Sequence, residues 1–161
     1  MIDMPSPPAL REQIGKEIAV SDWLEITQER IDRFAEATED PQWIHVDAAR
    51  AAAESPYRTT IAHGFLTLSL VSILTRQTLA LDRYRMALNY GLNRVRFITP
   101  VPAGSRIRAR FSPLAVDEAS NSVQVTWNIT IELEGGAKPC GVAEWIVRYY
   151  SRTSSDIGGK T

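Results

Sequence analysis

The segment at residues 64–78 constrains the fold more than any other, because a helix there would be apolar on almost every side. A helix that is apolar all round must be buried all round. The chain has 161 residues, the size of one domain, so another part of the same domain has to wrap this helix. The apolar positions are Phe65, Leu66, Leu68, Leu70, Val71, Ile73 and Leu74.

The second half of the chain contains segments that can wrap it. Apolar and polar residues alternate without a break over residues 123–133, which predicts a long strand with one buried face. Gly135-Gly136 then predicts a hairpin turn within residues 134–139. Further strands are predicted at residues 87–98, 105–116 and 141–150, with a second turn at 117–122.

The first half is predicted to be mainly helical. Thr27 is a plausible N-cap for a helix that ends near Glu39, because Pro41 disfavours helical geometry at Asp40. Asp47 is a plausible N-cap for a short alanine-rich helix at residues 48–53. Helices followed by antiparallel strands predict an α+β domain. A long antiparallel sheet curved around one central apolar helix is the hotdog fold.

The expected domain covers residues 1–150, with an irregular lead-in at 1–9 and a disordered tail at 151–161. The net charge of −1 gives no field that would attract nucleic acid or an anionic membrane. The stretch at 65–81 is too short and too polar for a membrane span, and residues 1–10 lack a signal-peptide pattern. Cys140 has no cysteine partner and is expected to be a small buried side chain. We therefore expect a cytoplasmic protein.

Asp40 and His45 are the first candidate chemical groups. They lie five residues apart in the segment that follows the first long helix, and such a pair can converge on one small volume. Imidazole titrates near neutrality, and a carboxylate can orient either the imidazole or a water molecule. On these two residues alone, a capping Asp and a surface His are the favoured interpretation.

The second candidate is the run from Thr60 to Thr67, which leads into the apolar helix. Gly64 has no side chain, so a ligand can approach its backbone, and an amide at a helix N-terminus can hold a developing oxyanion. The alternative is that Gly64 only permits a tight turn. His63 is expected to be a structural residue bonded to nearby backbone.

These two motifs resemble those of a known family. The run Ala-Thr-x-Asp-x-Gln-Trp-Ile-His-Val-Asp from Ala37, followed by Thr-Thr-Ile-Ala-His-Gly-Phe-Leu-Thr-Leu-Ser-Leu from Thr59, is similar to the MaoC-like dehydratases. Within them it resembles the NodN-like branch of (R)-specific enoyl-CoA hydratases. The runs 89–97 and 100–105 share this resemblance, which spans about residues 15–150.

The resemblance implies hydration of a trans-2-enoyl-CoA to an (R)-3-hydroxyacyl-CoA, or the reverse dehydration. Asp40 and His45 would activate the water, and Gly64 would donate its amide to the thioester oxygen. Gln42 would support the loop, and Ser72 falls where some relatives place an active-site serine. The reaction needs no metal and no cofactor, since coenzyme A is part of the substrate. The resemblance also implies a homodimer, which agrees with the need of sheet edges for partners.

Glu39 departs from the family pattern, which usually has Gly there. A positive φ at this position would strain Glu39, which puts the catalytic rate in doubt more than the fold. Glu39 therefore keeps open a non-catalytic acyl-binding or partner subunit. A hotdog acyl-CoA thioesterase is a separate alternative, which would need a water aimed at the thioester carbon, and the two motifs do not resemble that branch.

Several other side chains have two possible roles. Arg94 and Arg96 are candidates for binding the phosphates of coenzyme A, but a solvated strand face is the favoured interpretation for both. The same alternatives hold for Arg106, Arg108 and Arg110. Trp43 and Tyr57 can line an acyl or pantetheine channel or belong to the core.

Overall fold

The computed structural model describes residues 1–151, which form one α+β unit. The helices are α1 (Pro7–Glu12), α2 (Gln28–Thr38), α3 (Trp43–Val46), α4 (Ala48–Glu54), α5 (Gly64–Ser69) and α6 (Val71–Thr78). The strands are β1 (Ile2–Asp3), β2 (Ala19–Val20), β3 (Leu24–Glu25), β4 (Leu79–Ala80), β5 (Tyr84–Phe97), β6 (Arg106–Ala119), β7 (Ser122–Leu133) and β8 (Gly141–Ser151).

The main sheet is antiparallel and follows the order β2-β6-β7-β8-β5, with β3 also paired to β6. The alternation predicted for β7 is confirmed, because Val125, Trp127 and Ile129 are buried while the polar residues between them are not. The indole of Trp127 donates to the Tyr149 hydroxyl of β8 at 3.0 Å, which satisfies two polar groups inside the core.

The central helix differs from the prediction. It consists of α5 and α6, which meet at Leu70, and the Ser69 hydroxyl donates to the Phe65 carbonyl just before this junction. Serine bonds of this kind bend helices. Burial on every side is also wrong: Phe65 is 70% exposed, and Ser69 and Arg76 are exposed as well. The sheet covers one side of the helix and leaves a stripe open.

The start of the chain also corrects the prediction of an irregular lead-in. β1 pairs in parallel with β4, the amide of Met4 donates to the Ala80 carbonyl, and Met4 is buried. Two-residue strands carry no periodic signal, so only tertiary pairing shows them. At the other end, Ser151 still belongs to β8 and pairs with Tyr84; the remainder of the predicted tail, 152–161, lies outside the described residues.

Strand β5 is the last strand of the main sheet and is exposed along most of its length. Its neighbour is β8, and three register shifts interrupt that pairing. Over residues 1–151, every helix is too short or too polar to cross a bilayer. The fold therefore leaves one long strand and the open stripe of the central helix uncovered on the same side.

Candidate active site

The C-terminal end of α2 sets the position of Asp40. Glu39 adopts a left-handed conformation, with φ 56° and ψ 35°. Its amide donates to the Glu36 carbonyl at 3.4 Å, and the amide of Asp40 donates to the Ala35 carbonyl at 3.0 Å. This is a Schellman motif, which usually has glycine where Glu39 stands. It turns the chain sharply, so that the Asp40 side chain projects from the helix end and stays 58% exposed.

His45 is placed by the short helix α3 and by two main-chain contacts. Its Nδ1 lies 2.7 Å from the Ile61 carbonyl oxygen. A carbonyl can only accept, so Nδ1 carries the proton and Nε2 keeps its lone pair in the neutral ring. The carbonyl of His45 itself accepts from Gln28 Nε2 at 2.8 Å. The tautomer and the backbone position of His45 are both fixed.

The environment of His45 favours its neutral form. The side chain is only 7% exposed, which excludes the surface-histidine interpretation. Burial lowers the pKa of His45 below its ordinary value, and His63 lowers it further, whereas the bond to the Ile61 carbonyl and the Asp40 carboxylate act in the opposite direction. At neutral pH, Nε2 is therefore an unprotonated base.

Asp40, His45 and His63 form one cluster, in which a carboxylate oxygen of Asp40 and one ring nitrogen of each histidine all lie within 4.8 Å of one another. The rings of His45 and His63 are stacked, with centroids 3.7 Å apart and planes 27° apart. Imidazole binds a metal through a lone pair in the ring plane. Two stacked rings direct these lone pairs in separate planes, so the arrangement suits proton transfer better than shared metal binding.

Gly64 and His45 line one cavity of about 360 Å³, together with Tyr57, Thr67 and Phe97. A Cβ built on Gly64 would lie only 2.7 Å from Cδ2 of Phe97. Gly64 is therefore required for close packing of this ring, in addition to any role of its amide. As the first residue of α5, it has an amide with no intrahelical acceptor.

The sequence matches the MaoC-like domain family over residues 10–133. It is 54% identical over 136 residues to 3-hydroxyacyl-thioester dehydratase Z of Mycobacterium tuberculosis (strain ATCC 25618 / H37Rv), covering 84% of this chain and 89% of that protein.

The chain belongs to the MaoC-like dehydratase family. The family prediction is thereby confirmed, and with it the prediction of an enzyme of the dehydratase class. Nodulation protein N of Rhizobium leguminosarum bv. viciae is 45% identical over 148 residues, which is 91% of this chain and 88% of that protein.

The hotdog fold of this MaoC-like protein is also found in a solved structure, the (R)-hydratase from A. caviae involved in PHA biosynthesis. The TM-score is 0.66 at 24% identity, and the match covers 83% of this chain and 94% of that one.

The side chains of two other residues singled out from the sequence of this MaoC-like protein are not part of the Asp40–His45 cluster. The Gln42 side chain is exposed, and no side-chain cap is formed at the start of α3; its carbonyl accepts from the amide of His45. Ser72 lines a groove between α6 and β5, with Asn89 and Trp145, and is not among the residues of the His45 cavity.

The arginine candidates separate into two groups. Arg106, Arg108 and Arg110 make ion pairs with Glu134 and Glu132 across the outer sheet face, which confirms the solvated-face interpretation for these three. Arg94 and Arg96 lie exposed on β5. Arg94 is 3.9 Å from Glu144, and Arg96 donates to the carbonyl of its neighbour Val95.

The two aromatic candidates also differ. Tyr57 lines the His45 cavity. Trp43 is half-buried under the guanidinium of Arg50, 4.4 Å from the ring centroid, and does not line that cavity.

Sequence reasoning missed two residues that shape the site. Gln28 donates to the His45 carbonyl and to Asp32, and accepts from the Thr60 hydroxyl; a glutamine in the first turn of a helix gives no signal of this role. Phe97 packs against Gly64 from the end of β5. The sequence signal for this contact was Gly64 alone, since a glycine often stands where another group packs close to the backbone.

Proposed function

We propose that this chain catalyses the reversible hydration of trans-2-enoyl-CoA to (R)-3-hydroxyacyl-CoA, with Asp40 and His45 activating the water. The observation that carries this proposal is the fixed tautomer of His45. Its Nδ1 is bound to the Ile61 carbonyl, so its unprotonated Nε2 is available as a base, and one of its ring nitrogens lies within 4.8 Å of an Asp40 carboxylate oxygen.

The proposed steps use these two groups only. A water molecule held between Asp40 and His45 loses a proton to His45 Nε2, and its oxygen forms a bond to the β-carbon of the enoyl thioester. The electron pair of the double bond moves toward the thioester oxygen, and the α-carbon then takes up the proton. The reaction is redox-neutral, so it uses no redox cofactor. Coenzyme A takes part only as the thiol portion of the substrate.

Gly64 is the proposed donor to the developing enolate oxygen. Its amide opens α5 without an intrahelical acceptor, and it lines the same cavity as His45. The (R) configuration rests on the resemblance to the MaoC-like hydratases, and the thioester substrate is supported by the name of the 54% identical dehydratase.

The test is a crotonyl-CoA assay that follows the enoyl absorbance and free thiol together. Loss of the enoyl signal without free thiol, with (R)-3-hydroxybutyryl-CoA found by chiral analysis, is the expected result. Release of thiol would instead identify a thioesterase. Binding of crotonyl-CoA with no turnover would identify the non-catalytic alternative, and an (S) product would refute the stereochemical assignment.

The proposed assembly is a homodimer that covers β5. In the described chain the outer edge of this strand has no strand partner, and Leu88, Tyr90 and Leu92 are exposed on it. Phe65 on the open stripe of the central helix adds to the same uncovered side. An unpaired edge flanked by exposed apolar side chains is a surface for association. Sedimentation at micromolar concentration should give a dimer; a monomer there would refute the proposal.

Arg94 and Arg96 remain the proposed contacts for the phosphates of coenzyme A. They are exposed near the C-terminal end of strand β5, where their guanidinium groups can reach a ligand outside the cavity. Arg94→Ala and Arg96→Ala should raise KM for crotonyl-CoA and leave kcat unchanged, with Arg106→Ala as the matched control on the outer sheet face. An unchanged KM in both variants would remove this assignment.

A further inference from the structure

His63 contacts both proposed catalytic residues, although the proposed reaction gives it no chemical step. The side chain is 3% exposed. Its Nε2 lies 3.0 Å from the carbonyl oxygen of Asp40, and its ring stacks on His45. We propose that His63 is a positioning residue that holds the Asp40 backbone and the plane of the His45 ring in the geometry needed for turnover. This inference rests on the proposed hydratase function.

The first contact fixes the segment that carries Asp40. A carbonyl can only accept, so His63 Nε2 carries the proton and donates it. The amide of Asp40 is already bound to the Ala35 carbonyl. Both backbone groups of Asp40 are therefore held, one by α2 and one by the residue that precedes α5. Only the carboxylate is left free to turn toward a ligand.

The second contact fixes the tilt of His45. The bond from His45 Nδ1 to the Ile61 carbonyl restrains the ring within its plane but lets it rock about that bond. His63 lies against one face of the ring at 3.7 Å, and Phe34 packs on His63 with ring centroids 5.1 Å apart. The contact with His63 limits this rocking motion on one side of the His45 ring, and the Phe34 ring, tilted by 52° to His63, restrains His63 in turn. The two contacts together favour one direction of His45 Nε2.

Histidine at this position carries a cost at its second ring nitrogen. Its Nδ1 is buried and has no hydrogen-bond partner among the described residues, which costs free energy that an apolar side chain would not incur. The groups that face His63 are the Asp40 carboxylate at 3.9 Å, the His45 ring and the uncharged Phe34 ring. The donor at Nε2 and the flat ring are the two properties that these neighbours use.

Two substitutions separate these properties. His63→Phe keeps a flat ring beside His45 but loses the donor to Asp40. His63→Gln keeps an N–H near the position of Nε2 but loses the ring. We expect each to lower kcat on crotonyl-CoA by about tenfold to a hundredfold with KM changed by less than about threefold, because misplaced groups slow turnover more than binding. Gln77→Ala, on an exposed position of α6, is the control and should match the wild type.

The tautomers give a readout that does not depend on turnover. The chain has only two histidines, so the nitrogen NMR spectrum of the wild-type imidazoles contains the signals of two rings, His45 and His63. We expect His45 protonated at Nδ1 and His63 protonated at Nε2. In His63→Gln the His45 signals should broaden because the ring is no longer held.

The outcomes are distinguishable. If the wild type does not hydrate crotonyl-CoA, the proposed function fails, while the tautomers still decide whether the contacts of His63 are as described. If the wild type is active, kcat values within about threefold of wild type in both folded variants would overturn the positioning role. His63 protonated at Nδ1 would also overturn it. Should a variant fail to fold by circular dichroism, the wild-type tautomers and the other variant still provide the test.

Discussion

Replacement of Glu39 by glycine should stabilise the protein and leave its activity intact. Glu39 holds φ 56° at the C-terminal end of α2. An L residue with a Cβ pays about 1–2 kcal/mol for this conformation. Glycine removes that strain but gives the unfolded chain more freedom, which offsets about 0.4–1 kcal/mol of the gain.

The net stabilisation is then about 0.5–1 kcal/mol. For a domain of this size a change of 1 kcal/mol moves Tm by about 2–4 °C, so Glu39→Gly should raise Tm by about 1–4 °C. Urea denaturation should show a higher midpoint with an unchanged m value, because the same surface is exposed on unfolding. Both measurements are made on the same preparations.

Glu39→Ala is the matched control, because alanine removes the carboxylate but keeps the Cβ and its strain. It should give none of the stabilisation. Equal gains in the two variants would show that the carboxylate, rather than the backbone, is the source, and would refute the strain argument. Turnover of crotonyl-CoA by Glu39→Gly should stay within about threefold of wild type, because the turn that directs Asp40 is already formed.

Further predictions concern the proposed site and the residues around it. Asp40→Asn and His45→Gln should each lower turnover by at least about a hundredfold while circular dichroism shows an intact fold; near-normal rates in both would remove the site assignment. Because burial lowers the pKa of His45, the unfolded state binds more protons below the ordinary value of 6.5. Stability should therefore fall as the pH drops below 6.5, measured as Tm against pH, and His45→Gln should reduce this slope. Burial raises the pKa of the Cys140 thiol to about 11, so alkylation of the folded protein at pH 8 should be about a hundredfold slower than that of a free thiol; rapid labelling would contradict the burial. Gly64→Ala should destabilise the fold by about 1–3 kcal/mol through its clash with Phe97, and most of this loss should disappear in the Phe97→Ala background, as a double-mutant cycle in urea would show.

The sheet was predictable because its signals are local. The alternation over β7 directs Val125 and Trp127 inward without reference to any other part of the chain. The turn at Gly135 and the caps at Thr27 and Asp47 each depend on residues close in sequence. The burial of the central helix was not predictable in this way, since it depends on how far the sheet closes and on what covers β5.

The site was predictable only in part, because most of what positions it runs through the main chain. Asp40 is held through its amide and carbonyl, and His45 through its carbonyl and the carbonyl of Ile61. Every residue type except proline offers these groups equally, so a sequence does not show which of them are used. Side-chain identity marks the chemistry at Asp40 and His45, whereas the fold determines whether the two groups meet.

The spacing of five residues between Asp40 and His45 illustrates this dependence. Such a pair in an unrestrained loop would sample many separations. Here the left-handed turn at Glu39 ends α2, and α3 begins at Trp43, so little free chain lies between the two functional residues. His63 and Ile61 then hold the pair from the segment that precedes α5. A change at any of these backbone anchors should therefore lower turnover without removing a proposed catalytic side chain, and the sensitivity should be greatest where one residue holds both partners, which is His63.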